Sequence, residues 1–199
     1  MSNKIIIALC CITIWATSCM STKNISNYYQ QNQATLDGIQ KSYKQLYSHS
    51  PFSIEFTDKT FRHVSIEMFT DTIKYIYEFE VSENRMKDSL LKYKLNADGI
   101  TDLISKMQQV HCTWINNLDY YVDGKKDHMV FMSMRPKPLN FPFTNKKYYI
   151  LTYFAQPQYY NSDGILLDKR SRRRLRKINE DVFKRITDKV AYTISARYR

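Results

Sequence analysis

From Ile25 to Leu46 the apolar positions return at alternating intervals of four and three. They are Ile25, Tyr29, Leu36, Ile39, Tyr43 and Leu46, with Asn32 as the polar member. That spacing lays one stripe along a helix and predicts α-helix over 25–47. The stripe is also close to a heptad seam. It fits packing against the chain's own domain, or a structural oligomer built on Ile25–Leu46. Gly38 weighs against the second use, because it costs about 1 kcal/mol of helix stability relative to Ala. Ser48-His49-Ser50-Pro51 then ends the helix, since the residue before a proline is pushed out of the α region.

After Pro51 the period falls to two. Phe52–Thr57, Phe61–Phe69 and Thr72–Val81 read as strands, with Val64, Ile66 and Met68 alternating against His63, Ser65 and Glu67. A helical region follows, broken at Asn96-Ala97-Asp98-Gly99, and its second part carries Leu103, Ile104, Met107 and Val110 on one face. Thr113–Val122 and Asp127–Arg135 flank Asp123-Gly124-Lys125-Lys126 as a hairpin, and Lys147–Gln156 is a further strand. Three prolines between Pro136 and Lys146 keep that stretch out of any central strand. Near the end, Leu175, Ile178, Val182, Ile186, Val190 and Ile194 predict a last helix over about 168–196. The expected fold is α+β: one antiparallel sheet of about six strands, covered by N-terminal, central and C-terminal helices. Residues 25–199 then form a single domain.

The first residues have a different character. Lys4 precedes an apolar run from Ile5 to Ala16, too short and too diluted by Thr13, Thr17 and Ser18 to match the roughly 20 apolar residues of a spanning helix. Ala16-Thr17-Ser18-Cys19 closes the run. This ending resembles the lipobox of bacterial lipoproteins, with Ala16 where that pattern usually has leucine. The resemblance covers the signal alone. It implies a signal peptide over 1–18, lipidation (palmitate among the acyl chains) of Cys19, and a lipidated tether over 19–24. It also implies a location in the cell envelope, anchored to a bacterial membrane on its periplasmic or outer side.

Charge sharpens this picture. Of the net +11, residues 20–168 contribute +1 (17 Lys/Arg against 16 Asp/Glu), residues 169–199 contribute +9 (12 against 3), and Lys4 supplies the last unit. The cationic part is therefore local: Lys169-Arg170-Ser171-Arg172-Arg173-Arg174-Leu175-Arg176-Lys177. Cations at a helix start oppose the macrodipole, so this cluster is not there for helix stability. Arg170, Arg172, Arg173, Arg174, Arg176 and Lys177 are the candidate contacts for a polyanion or partner. In an exported chain that means anionic lipid, an envelope polymer or an envelope protein, with nucleic acid a remote partner. Cys10 and Cys11 leave with the signal and Cys19 takes lipid, so Cys112 has no intramolecular disulfide partner.

Candidate chemistry is sparse. All four glycines (Gly38, Gly99, Gly124, Gly164) follow an aspartate and none builds a phosphate loop. His49, His63, His111 and His128 are scattered, and neither a metal site nor a cofactor is expected. His63, Ser65 and Glu67 share a strand face within reach of Lys74. Neighbours at i and i+2 stand roughly 6–7 Å apart and parallel, whereas a proton relay needs about 3 Å. The expectation is a non-enzymatic binding or assembly module for a protein partner or envelope polymer. The alternative is an envelope hydrolase whose site brings together His63, Glu67, His111 and His128. Tyrosine and phenylalanine, 16 and 10 in number, add doublets such as Tyr120-Tyr121 and Tyr148-Tyr149 that put one ring on each face of a strand.

Overall fold

A computed structural model describes the backbone of residues 2–70, 74–122, 125–134, 148–166 and 183–195. Side chains are described within these ranges from 25 onward, apart from 120–122 and 125–126. Helix α1 (Ser2–His49) leads into strands β1 (Phe52–Phe56), β2 (His63–Phe69) and β3 (Lys74–Glu80). Helices α2 (Asn84–Lys92) and α3 (Ala97–Gln109) follow, then β4 (Cys112–Val122), β5 (Lys125–Met134) and β6 (Tyr148–Phe154). Two further strands, β7 (Lys184–Arg185) and β8 (Val190–Ser195), complete the described elements. The fold is α+β, with one antiparallel sheet ordered β3-β2-β1-β4-β5-β6-β8-β7. Two meanders thus share the seam β1–β4, where Ile54 lies opposite Ile115. The α2–α3 connection carries the chain from the outer strand β3 back to the centre.

The stripe on α1 is spent on this sheet. Ile25, Tyr29, Leu36, Ile39 and Tyr43 are buried in one core with Ile54, Ile66, Ile115, Met132, Leu151 and Tyr192, which point from the strands toward the helices. Helix α1 crosses the strands. Tyr29 stands beside Tyr153 on β6, and the Tyr43 hydroxyl donates to the Phe52 carbonyl at the start of β1, 2.6 Å away. Helix α3 runs back along α1, with Gly99 against Leu46 at one end and the Tyr28 hydroxyl donating to the Val110 carbonyl at the other. The opposite face of the sheet has its own smaller core of Met129, Phe131, Ile150, Phe154 and Ala191, covered by Trp114, Tyr160, Leu166 and Phe183.

Two expectations are corrected here. The sheet has eight strands among the described residues, not about six, and the helix expected over 168–196 does not reach its end: 184–185 and 190–195 are strands. Residues 167–182, with the first half of that expectation, lie outside the described residues. The reason is arithmetic. Ile186, Val190 and Ile194 recur every four residues, and four is both close to one helical turn and an even number of strand residues. Tyr192 separates the two readings. On a helix it would lie opposite Val190; in β8 it shares Val190's face and is buried in the main core. Thr187 makes the turn before β8, its hydroxyl accepting from the Lys189 and Val190 amides.

The turn between β1 and β2 is organised by one carboxylate. Asp58 accepts from the amides of Thr60, Arg62 and His63 at 3.1, 2.9 and 2.9 Å, and from the Thr60 hydroxyl. Burial pushes its pKa up, but the hydrogen bonds outweigh that and hold it at about 2. The ionised form is therefore favoured by folding. Its stabilisation is complete above the unfolded carboxylate value of about 4 and is lost as pH falls from there through 2. Asp58→Asn should flatten this acid limb in urea denaturation followed from pH 5 to pH 2, while the wild-type midpoint drops. A second test concerns the two helical glycines. A Cβ at Gly38 meets nothing within 4 Å, whereas one at Gly99 would stand 2.9 Å from Leu46 Cδ2 and 3.1 Å from Asn96 Cγ. Gly38→Ala should raise stability by about 1 kcal/mol, and Gly99→Ala should gain none of this in the same thermal melts.

Candidate functional site

Where α1 ends, the chain leaves a cavity of about 350 Å³ between that helix, the start of β1 and the α2–α3 turn. Its apolar wall is Leu46, Phe52, Leu95 and Ile100; Gln45, His49, Ser50, Lys94 and Asn96 supply the polar groups. Three of these residues, Lys94, Asn96 and His49, are set by local hydrogen bonds. Lys94 follows the last turn of α2 in a Schellman arrangement: the Leu95 amide donates to the Leu90 carbonyl and the Lys94 amide to the Leu91 carbonyl, both at 2.9 Å. This closure forces Lys94 into the left-handed region, at φ 59°. Glycine is the usual occupant there, and a side chain with a Cβ costs roughly 1 kcal/mol. A lysine thus stands in the cavity lining where glycine is the locally preferred residue.

Asn96 caps α3, its side-chain oxygen accepting from the Gly99 amide at 2.9 Å. The partly positive N-terminal end of that helix opens toward the same space. His49 Nδ1 lies 2.9 Å from the Gln45 carbonyl. A carbonyl can only accept, so in this contact Nδ1 is the donor. The arrangement suits a ligand with an apolar body and an anionic or acceptor-rich end. Sequence reasoning missed this site because its residues come from two stretches far apart in the chain, 45–52 and 94–100. The visible signal was a lysine directly after an apolar helical stretch, in the position where a C-terminal glycine is common.

The residues singled out in the sequence do not assemble. His63 is exposed at the start of β2, with Nδ1 3.9 Å from Asp58. Glu67 takes the Lys74 ammonium at 2.9 Å and the Ser53 hydroxyl at 3.2 Å, and Ser65 is buried between them without joining a relay. His111 follows α3 at φ 48° and sets its ring edge-on to Phe61. His128 pairs with Asp119 across β4 and β5 at 2.9 Å. From β2 to β5 the sheet steps through β1 and β4, roughly 14 Å at strand spacing. His63, Glu67, His111 and His128 therefore share no pocket. Among the described residues no group of three His, Cys, Asp or Glu side chains is placed to hold a metal ion.

Cys112 is buried, its Sγ–H directed at the Trp114 carbonyl, and burial pushes the thiol up to about 12. Cys19 lies on the backbone of α1 ahead of the described side chains, and Arg170, Arg172, Arg173, Arg174, Arg176 and Lys177 fall outside the described residues. Among the described residues no helix is long and apolar enough to cross a membrane. Comparisons with protein families, with curated proteins and with solved structures find no match to this chain. The site makes one direct prediction. Lys94→Gly should stabilise the fold by about 1 kcal/mol in thermal denaturation, because it relieves the left-handed backbone, while Lys94→Ala should not.

Proposed function

We propose that this protein is a lipid-anchored binding module of the bacterial cell envelope, non-enzymatic, with Cys19 carrying the lipid. Its cationic stretch, Arg170, Arg172, Arg173, Arg174, Arg176 and Lys177, meets an anionic lipid, an envelope polymer or an acidic protein partner. The observation that carries this reading is an asymmetry of the fold. Ile25, the first described side chain of α1 and six residues after Cys19, is buried in the main core, and Tyr29 meets Tyr153 on β6. Leu166 and Phe183, which bracket the cationic stretch in the chain, pack on β5, β6 and β8. Ile25 and Tyr29 on the anchor side, and Leu166 and Phe183 on either side of the cationic stretch, thus all lie toward the β6–β8 end. The cavity beside Phe52 and Lys94 lies toward the other end, where α1 finishes over β1. On this reading one end of the domain is held to the membrane and the other is turned to a ligand.

The electrostatic part has a magnitude. A cation close to an anionic leaflet contributes about 1 kcal/mol, so each one lost weakens binding roughly fivefold. With the full chain and vesicles of anionic lipid, replacing Arg172, Arg173, Arg174 and Arg176 by Gln should lower retention by about two to three orders of magnitude and reduce its salt dependence. Unchanged retention would remove the basic stretch from the function. Cys19→Ser should move the protein from the membrane to the soluble fraction and abolish incorporation of labelled palmitate.

A further inference from the structure

Strand β3 is the outer strand of the sheet on the side away from β7, and its hydrogen-bonding pattern can be read from one contact. The Val81 amide donates to the Arg62 carbonyl at 2.8 Å. In an antiparallel ladder bonded pairs alternate, and the register sets Phe79 opposite Val64, Tyr77 opposite Ile66 and Tyr75 opposite Met68. The odd-numbered residues of β3 therefore bond to β2. Among the described residues Lys74, Ile76 and Glu78 direct their amides and carbonyls off the outer edge, while Glu80 bonds to Glu83 in the turn that follows.

The side chains at those same positions are exposed, and Ile76 keeps 56% of its surface in solvent. The odd positions are taken inward: Phe79 is buried, and Tyr75, Tyr77 and Phe79 stack in a row with centroids 6.5 and 6.1 Å apart. Such an edge is a template for a further strand. Its charges select which one. A parallel in-register copy would set Lys74 on Lys74, Glu78 on Glu78 and Glu80 on Glu80. An antiparallel copy centred on Ile76 sets Ile76 against itself and Lys74 against the second copy's Glu78, twice.

We propose that β3 pairs with β3 of a second copy of this chain, antiparallel and centred on Ile76, to form a two-fold dimer with a continuous sheet. The pairing uses backbone groups that β2 leaves free, exchanging about six hydrogen bonds over residues 74–78. It covers Ile76 and joins opposite charges at both ends, the self-complementarity that a two-fold interface requires. The axis is perpendicular to the sheet, so α1 of each copy lies on the same face, and the β6–β8 ends stand at the two far sides. This interface is separate from the Ile25–Leu46 stripe, which is buried against the chain's own strands.

The test is the mass of the full chain extracted into non-ionic detergent, by light scattering over a concentration series. The expected result is a dimer. Lys74→Glu or Glu78→Lys alone should raise the dissociation constant at least tenfold, and the two together should restore it. Ile76→Pro removes an amide the monomer does not use, on an edge where proline is tolerated, and should give a monomer with an unchanged circular dichroism spectrum. A wild-type monomer at every concentration overturns the proposal. So does a folded Ile76→Pro variant that stays dimeric, or a double charge variant that is no better than either single one.

Discussion

One packing contact organises this molecule: the face of α1 laid across the strands. A helix along a strand covers one or two strands, but a helix across them touches each in turn. From Tyr29 beside Tyr153 to Tyr43 above Phe52, α1 spans β6 to β1. Its buried residues meet the centre of the sheet, where the two meanders join. The Tyr43 hydroxyl fixes the depth of the contact. It is fully buried, and a buried donor left unpaired costs roughly 1–3 kcal/mol, so helix and strand cannot slide apart without losing that bond.

The rest follows from that crossing. With α1 fixed, α3 has room only alongside it, and Gly99 lets the two helices approach at Leu46 where a Cβ would not fit without displacing its neighbours. The cavity lies at this end of α1, with Leu46 in its wall. The crossing also gives the sheet two ends of different character. One receives Ile25 and Tyr29 of α1 and the residues on either side of the cationic stretch, Leu166 and Phe183. The other carries α2 and the open strand β3, whose even-numbered positions are charged or exposed.

Departures from local preference cluster in connections rather than in elements. Lys94 and His111 each take up a left-handed conformation just after a helix, and Phe61 does so in the turn before β2. His111 and Phe61 meet edge-on, so two strained turns from distant parts of the chain support one another. Gln108 adds a hydrogen bond from its side chain to the Phe61 carbonyl at 2.7 Å. Of the three, Lys94 is the one that borders the cavity. That difference makes it the residue of greatest functional interest among them.

Alternation and helical spacing alone specify six strands and three helices, because each of those segments buries one face and its periodicity states which one. Val64, Ile66 and Met68 could belong to nothing but a half-buried strand. The final strands were hidden because Ile186, Val190 and Ile194 satisfy both periods, and only the neighbouring strand β6, paired with β8 from Tyr148 to Tyr153, decides between them. The heptad-like stripe at Ile25–Leu46 was legible as a helix but not as to its partner, since burial against a sheet and against a second helix call for the same residues. The cavity was not legible at all: Gln45, Phe52, Lys94 and Ile100 become neighbours only once α1 has crossed the sheet and α3 has turned back along it. Sequence determines periodicity, charge and the lipobox-like ending at Cys19, which are properties of contiguous residues. Tertiary structure alone decides which distant side chains share a space, because that depends on where whole elements are free to pack.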